Sequence, residues 1–208
     1  SNGKGRERSR PFPFLGWNRK AGGKTMAKAR KRVLVALTGG TIASAFKGQS
    51  AWPDETSVNH LRTAILEFFE ERGLDAILFE PWGRPGYDSS DLDPGHWVQL
   101  TEAIAKAFEE GNQGALVLHG TDTMAYTAAW LGLCFAGTPL PVILTGSQFT
   151  RDFSPEDGSV NLRGAAQVVA SGFPGVWIYF TWKLVPGARA HKARAIPPDA
   201  FVAAHGFP

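Results

Sequence analysis

A single cysteine, Cys134, is all the thiol that this 208-residue chain carries. An internal disulfide is excluded, and a reducing, cytoplasmic setting is the expectation. Cys134 falls in an apolar, helix-like stretch and reads as a small buried filler rather than a reactive thiol. No apolar run approaches the ~20 residues that span a bilayer, and no secretory apolar segment with a small-residue cleavage site opens the chain. Membrane association is therefore not expected. His60, His96 and His205 show no ligand spacing with any carboxylate, so neither a metal nor another cofactor is expected. Internal repeats and low-complexity domains are missing too.

The chain also lacks a strong overall charge, but its net +3 averages two unlike parts. Residues 1–32 hold 11 Lys/Arg and one acid (+10), whereas 33–208 hold 11 bases and 18 acids (−7). The first part mixes Gly, Ser, Pro and Arg without helical periodicity and has Met26 near its end. It reads as a disordered leader or as sequence upstream of a natural start, with a nucleic-acid arm as the alternative. The acidic remainder provides no electrostatic reason to bind nucleic acid.

What is present is enough residues for one full core, 43% hydrophobic and 20% charged, the balance of a soluble globular domain. Its centre is VLVALTGGTIAS at 33–44. Five apolar residues, 33–37, suit a strand buried on both faces. Gly39 and Gly40 then allow a sharp turn and a close backbone approach, so that Thr38 or Thr41 faces a pocket. A phosphate loop is the rival reading, but GGT has neither the lysine and spacing of a P-loop nor the form GxGxxG. A plain tight turn is the other.

Residues 46–55 read as a loop with two aromatics, Phe46 and Trp52, a composition that suits a lid. Helical spacing predicts a helix over 56–72, capped by Thr56 or Ser57 and stopped at Gly73, and another over 94–110 ending at Gly111. Strands are expected at 75–80, 115–118, 141–145 and 175–181, with helices at 125–135 and about 160–169 between them. Residues 184–195 read as a Gly/Pro turn and a basic run, and 196–208 as an irregular tail. Strands separated by helices imply parallel pairing with right-handed crossovers, an α/β domain built on an open, doubly wound, mostly parallel sheet. In such a sheet the loops after the strands meet on one edge, bringing TGGT, DSSD, HGTD and GSQ together.

A threonine hydroxyl needs a neighbouring base to become a nucleophile. Lys192, held beside Asp122 and partly desolvated, is the candidate proton shuttle. Asp122 as a helix cap, Thr121 as a turn residue and Lys192 as a surface base are the bland alternatives. Ser89 and Ser90, between Asp88 and Asp91, suit the two charged ends of an amino acid, or else form an Asx turn. His119 reads as a hydrogen-bonded structural histidine.

TGGTIAS at 38–44 and LHGTDTMAYTA at 118–128 resemble the two signature segments of the bacterial-type L-asparaginases and glutaminase-asparaginases, nearer the cytoplasmic type I branch. DSSD at 88–91, TGSQ at 145–148, DGSVNL at 157–162 and GARAHKA at 187–193 follow in that family's order and rough spacing. The resemblance implies the family's N-terminal α/β domain over 33–208, with the family's smaller C-terminal domain absent, as expected of either an N-terminal fragment or a short member with a differently completed pocket. It implies hydrolysis of the side-chain amide of L-asparagine through an acyl-enzyme, without a cofactor, in a homo-oligomer. Thr41 matches the nucleophile, and Thr121, Asp122 and Lys192 match the second threonine and its proton-handling partners. Gly40, Asp88, Ser89, Ser90, Gly120 and Ser147 match substrate-binding positions. The family's lid tyrosine has no phenol to match here, only Phe46 and Trp52. A non-catalytic amino-acid-binding module and a transfer-RNA-dependent amidotransferase relative are the alternative functions.

Overall fold

The computed structural model describes residues 30–47, 50–83, 86–153 and 155–205. Positions 1–29 of the expected leader lie outside the described residues, whereas Lys31 and Arg32 belong to the first strand, β1 (Lys31–Leu37). A hairpin of β2 (Ser44–Lys47) and β3 (Ser50–Pro53) follows, then α1 (Glu55–Glu70), β4 (Leu74–Phe79), α2 (Pro94–Glu109), β5 (Ala115–Leu118) and α3 (Met124–Cys134). The remaining elements are β6 (Pro141–Thr145), α4 (Gly158–Ser171), β7 (Gly175–Phe180), β8 (Lys183–Pro186), β9 (Ala190–Lys192) and β10 (Phe201–Ala203).

Among the described residues six strands form one sheet in the order β4-β1-β5-β6-β7-β8, parallel except for the last pair. The mostly parallel α/β sheet is thus as expected. Strand alternation sorts its side chains into two cores. Val33, Val35, Leu37, Leu116, Leu118 and Ile143 pack with Val58, Leu61, Ile65 and Phe69 of α1 and Leu162, Ala165 and Val169 of α4. Leu34, Ala36, Val117, Val142 and Leu144 face the other way, onto Leu100, Ile104 and Phe108 of α2 and Met124, Ala128 and Leu131 of α3. Successive residues of a strand point to opposite faces, so continuous apolar runs are what a sheet covered on both sides requires.

The chain leaves β1 toward β4 on one side, and all later parallel strands add on the other. The crevice between the carboxyl ends of β1 and β5 is therefore the switch point, where open α/β sheets bind ligands. The TGGT and HGTD turns are the segments that leave those two strands.

Several expectations are corrected. Residues 44–47 and 50–53 pair antiparallel, Ser44 opposite Pro53 and Lys47 opposite Ser50, rather than forming a loop. The side chains of 46–47 and 50–53, Phe46 and Trp52 included, lie outside the described residues. Asp54, not Thr56 or Ser57, caps α1, its carboxylate accepting from the Ser57 N–H and hydroxyl. Strand β7 stops at Phe180, because Thr181 and Trp182 turn the chain with φ of 47° and 60° into the antiparallel β8. That two-residue turn asks for positive φ at both positions, which β-branched and bulky residues disfavour. Its conformation is held by Asn161 Oδ1 on the Thr181 N–H (2.8 Å) and by the Thr181 hydroxyl on the Pro198 carbonyl (2.6 Å). The basic run and the tail are ordered in part as β8, β9 and β10. Cys134 is exposed at the end of α3 rather than buried, and partial desolvation still raises its thiol pKa, so it is not an activated thiolate. Helix α3 is apolar nearly all round, with Tyr126 and Leu133 also exposed, so its sequence does not show which face is covered. Among the described residues no helix is long and apolar enough to cross a membrane.

Candidate active site

Gly39 (φ 115°) and Gly40 (φ 86°, ψ −177°) bend the chain out of β1. A Cβ at Gly39 would lie 2.3 Å from the Tyr87 carbonyl oxygen, and one at Gly40 would lie 2.4 Å from Gly120 Cα. Three turns thus meet backbone against backbone, with the Gly40 N–H on the Tyr87 carbonyl (3.1 Å) and the Tyr87 N–H on the Thr38 carbonyl (3.0 Å). This close packing is the reason for two glycines here.

It also separates the two threonines. Thr38 is buried, with its hydroxyl donated to the Leu118 carbonyl at 2.8 Å, tying β1 to β5. Thr41 opens the short 3-10 turn Thr41–Ala43, is half-buried, and lines a cavity of ≈ 120 Å³. Gly40, Asp88, Ser89, Gly120, Thr121 and Asp122 line the same cavity. Its size suits a small ligand such as an amino acid.

Lys192 reaches two of these lining residues from far along the chain. Its side chain is 16% exposed, and its Nζ donates to Thr121 Oγ1 at 2.8 Å and to Asp122 Oδ1 at 2.7 Å. The β9–β10 pairing, with Lys192 opposite Phe201, anchors it; Phe201 is buried against the Phe180 ring (5.0 Å between centroids). Neither bland reading of this pair holds. Lys192 is not a free surface base, and the residue at the start of α3 is Thr123, not Asp122.

Ser89 is buried, and its hydroxyl accepts from the Thr123 N–H at 3.4 Å, leaving its own proton for an acceptor in the cavity. Thr123 Oγ1 donates to the Ser89 carbonyl at 2.7 Å, so it ties the DSSD turn to the HGTD turn. Two expected ligand residues are not brought to the cavity. Ser90 is exposed; its N–H is drawn back onto Asp88 Oδ1 (2.9 Å) in the Asx turn that starts the 3-10 turn Ser89–Asp91. Ser147 lines a separate cavity of ≈ 290 Å³ between α1 and α4, where its buried hydroxyl has no partner. The turn after β6 is instead held by Asp157, which accepts from the Gln148 and Phe149 N–H groups, and by Asn161 Nδ2 on the Gly146 carbonyl. Those bonds account for the DGSVNL segment.

Sequence reasoning missed Ser44, Tyr87 and Thr123. Ser44 Oγ donates to the Gly40 carbonyl (2.9 Å), and Ser44 and Tyr87 line the cavity. The Gly-Tyr step directly before DSSD was the available signal for Tyr87. Among the described residues no group of three His, Cys, Asp or Glu is placed to hold a metal ion.

His119 is fully buried between Gly120 and α3. Its Nδ1 lies 2.7 Å from the Gly120 carbonyl, and its Nε2 lies 2.9 Å from Thr127 Oγ1. Burial pushes its pKa down from 6.5 to about 4. Between those values the unfolded chain binds a proton that the fold does not, so stability rises with pH across this window. It is lost as pH falls from about 6.5 toward about 4, by roughly 3 kcal/mol in all. Urea unfolding at pH 4.5 and 7.5 checks this: His119→Asn is expected to shrink the difference between the two pH values, and an unchanged difference contradicts the assignment.

The sequence model of the family described as asparaginase, N-terminal, matches residues 32–208. L-asparaginase 1 of Escherichia coli strain K12 is 37% identical over 174 residues, 83% of this chain and 50% of that protein. A glutamyl-tRNA(Gln) amidotransferase component from Pyrococcus furiosus is 32% identical over 186 residues, 85% of this chain and 41% of that protein. The crystal structure of L-asparaginase I from Vibrio cholerae superposes with a TM-score of 0.70 at 33% identity, over 84% of this chain and 52% of that one. The chain spans about half the length, or less, of the curated relatives it matches.

Proposed function

Because the chain belongs to the asparaginase family through its N-terminal domain, we propose that it hydrolyses the side-chain amide of L-asparagine to L-aspartate and ammonia. The observation that carries this reading is Lys192, bonded to both Thr121 and Asp122 on the cavity that Thr41 lines. The chemistry runs in two halves. Thr41 Oγ attacks the amide carbon, and its proton passes toward the Thr121–Lys192–Asp122 group. Lys192 accepts a proton through Thr121 after releasing one to solvent, and Asp122 stays a carboxylate that holds Nζ in place. The same group returns a proton to the leaving nitrogen, so ammonia departs and an ester on Thr41 remains. Water then adds to that ester, its proton returns to Thr41, and aspartate is released. Backbone N–H groups of the glycine-rich turns supply the donors for the oxyanion. Ser89 and Asp88 are assigned the substrate's carboxylate and ammonium ends, with Asp122 sharing the ammonium.

The lone Cys134 fits a reducing, cytoplasmic setting, and the small cavity fits a small amino-acid substrate. The 32% identity to an amidotransferase component favours a second reading, in which the same ammonia release serves amidation of charged transfer RNA.

Incubating the chain with asparagine in hydroxylamine tests the first reading. Aspartyl β-hydroxamate is expected alongside ammonia, because hydroxylamine intercepts an acyl ester. Ammonia without hydroxamate removes the acyl-enzyme, and saturable asparagine binding without ammonia removes catalysis. Release that occurs only with charged transfer RNA selects the second reading.

A further inference from the structure

His119 takes no part in the chemistry proposed above, yet among the described residues it is a titratable side chain fully buried at the HGTD turn. Its bonds settle its tautomer. A carbonyl only accepts, so Nδ1 carries the proton and donates to the Gly120 oxygen at 2.7 Å; Nε2 then accepts from the Thr127 hydroxyl at 2.9 Å. Thr127 is fully buried on α3, and the His119 N–H is fastened to the Thr145 carbonyl at 2.8 Å. Ring, helix and neighbouring strand therefore form one rigid unit around the Gly120 carbonyl.

The peptide between Gly120 and Thr121 is planar and trans, so its C=O and N–H point in opposite directions. With the oxygen drawn to the imidazole, the Thr121 N–H is turned the opposite way, and Thr121 is one of the residues that line the cavity. Among the described residues no backbone carbonyl accepts from this N–H.

We propose that His119 and Thr127 are positioning residues for the amide hydrolysis described above: by holding the Gly120 carbonyl inward they aim the Thr121 N–H at the oxyanion of the tetrahedral intermediate. The inference rests on that hydrolysis reading. Neither side chain touches substrate. A donor fixed before the reaction need not reorient as charge develops, which is where such donors act most strongly.

Two replacements of His119 separate this role from simple packing. Asparagine places its amide nitrogen where Nδ1 was and keeps the bond to Gly120, whereas glutamine reaches toward Thr127 and gives that bond up. The expectation is a kcat for His119→Gln reduced by ~10–100-fold, with KM for asparagine within about twofold. His119→Asn is expected to retain most of kcat. Thr127→Val is expected to lower kcat, and Thr127→Ser, which keeps the hydroxyl, to restore it. Equal losses in Asn and Gln, or a change confined to KM, overturn the proposal.

A second measurement does not depend on turnover. In the amide NMR spectrum of the wild-type chain, adding L-aspartate is expected to shift the Thr121 N–H, and His119→Gln to abolish that shift. If the shift appears without ammonia release, the hydrolysis reading falls and only the orientation of the Thr121 N–H by His119 stands. If ammonia is released without the shift, or with an equal shift in both variants, the positioning role falls. If neither occurs, both fall.

Discussion

Lys192→Met is expected to lower ammonia release from asparagine by ~10²–10⁴-fold, the range that a positioned proton-transfer group contributes, while the fold survives. Methionine keeps much of the aliphatic stem that runs through the protein, and only the Nζ that bridges Thr121 and Asp122 is lost. The structural cost is small because Asp122 is 64% exposed, so its carboxylate is rehydrated rather than left as a buried unpaired charge. An ion pair with one partner this open contributes ~1 kcal/mol or less to stability. Activity and stability should therefore separate. Thr41→Ala should match the loss, since it removes the attacking hydroxyl from the same cavity. Ammonia assays and thermal melts on both variants check the pair. A Lys192→Met enzyme that keeps more than a tenth of its rate, or that loses its rate only because it unfolds, refutes the assignment.

Gly40→Ala is expected to do the reverse, costing stability first and activity as a consequence. At φ 86° and ψ −177° the residue occupies a backbone region that is essentially closed to side chains, a strain of ~1–3 kcal/mol. The added Cβ would also stand 2.4 Å from Gly120 Cα and 2.5 Å from Gly120 N. Those are backbone atoms of the HGTD turn and cannot swing aside as the end of a flexible side chain does. Overpacking adds ~1–3 kcal/mol. For a domain of this size, ~1 kcal/mol moves Tm by about 2–4 °C, so the total corresponds to a fall of roughly 5–20 °C.

Gly73→Ala is the comparison. Gly73 also has positive φ, 67°, but its Cβ would meet nothing within 4 Å, so only ~1–2 kcal/mol of conformational strain remains. Gly40→Ala should therefore melt well below Gly73→Ala and lose its activity. Equal melting temperatures would mean that the TGGT and HGTD turns are not in backbone contact.

The contrast between these glycines shows how much of the site can be read along the chain. The Gly-Gly step after β1 announces a turn, and the apolar run before it announces a strand covered on both faces. Neither says which turn it touches, because Gly40 and Gly120 are 80 positions apart and only the parallel pairing of β1 with β5 brings them together. The same holds for the threonines. Thr38 and Thr41 flank the same glycines with the same hydroxyl, and what separates them is the Leu118 carbonyl, which takes the first out of reach of any ligand. Ser147 and Ser90 failed as cavity residues for a related reason. A polar residue at the end of a strand points wherever its backbone bonds turn it, and those bonds go to Asp157 and Asn161 after β6 and to Asp88 in the DSSD turn.

Short strands were the least legible part of the fold. The hairpins β2–β3 and β9–β10 have three or four residues on each side, too few for an alternating pattern, and β9 sits in a run that looks merely basic. Yet β9 is the segment that delivers Lys192.

By itself, the sequence determined the α/β class, the apolar strands, the positions of the four helices and the glycine-marked turns in which chemistry is concentrated. All of these follow from local rules: side-chain period, helix stops and the φ that only glycine accepts. The tertiary structure alone decided that Thr41 rather than Thr38 faces the cavity, that Lys192 closes on Thr121 and Asp122, and that His119 holds the Gly120 carbonyl. Each of those outcomes depends on a hydrogen bond or a close approach created when distant segments pack together, and that information is not carried in any one stretch of the chain.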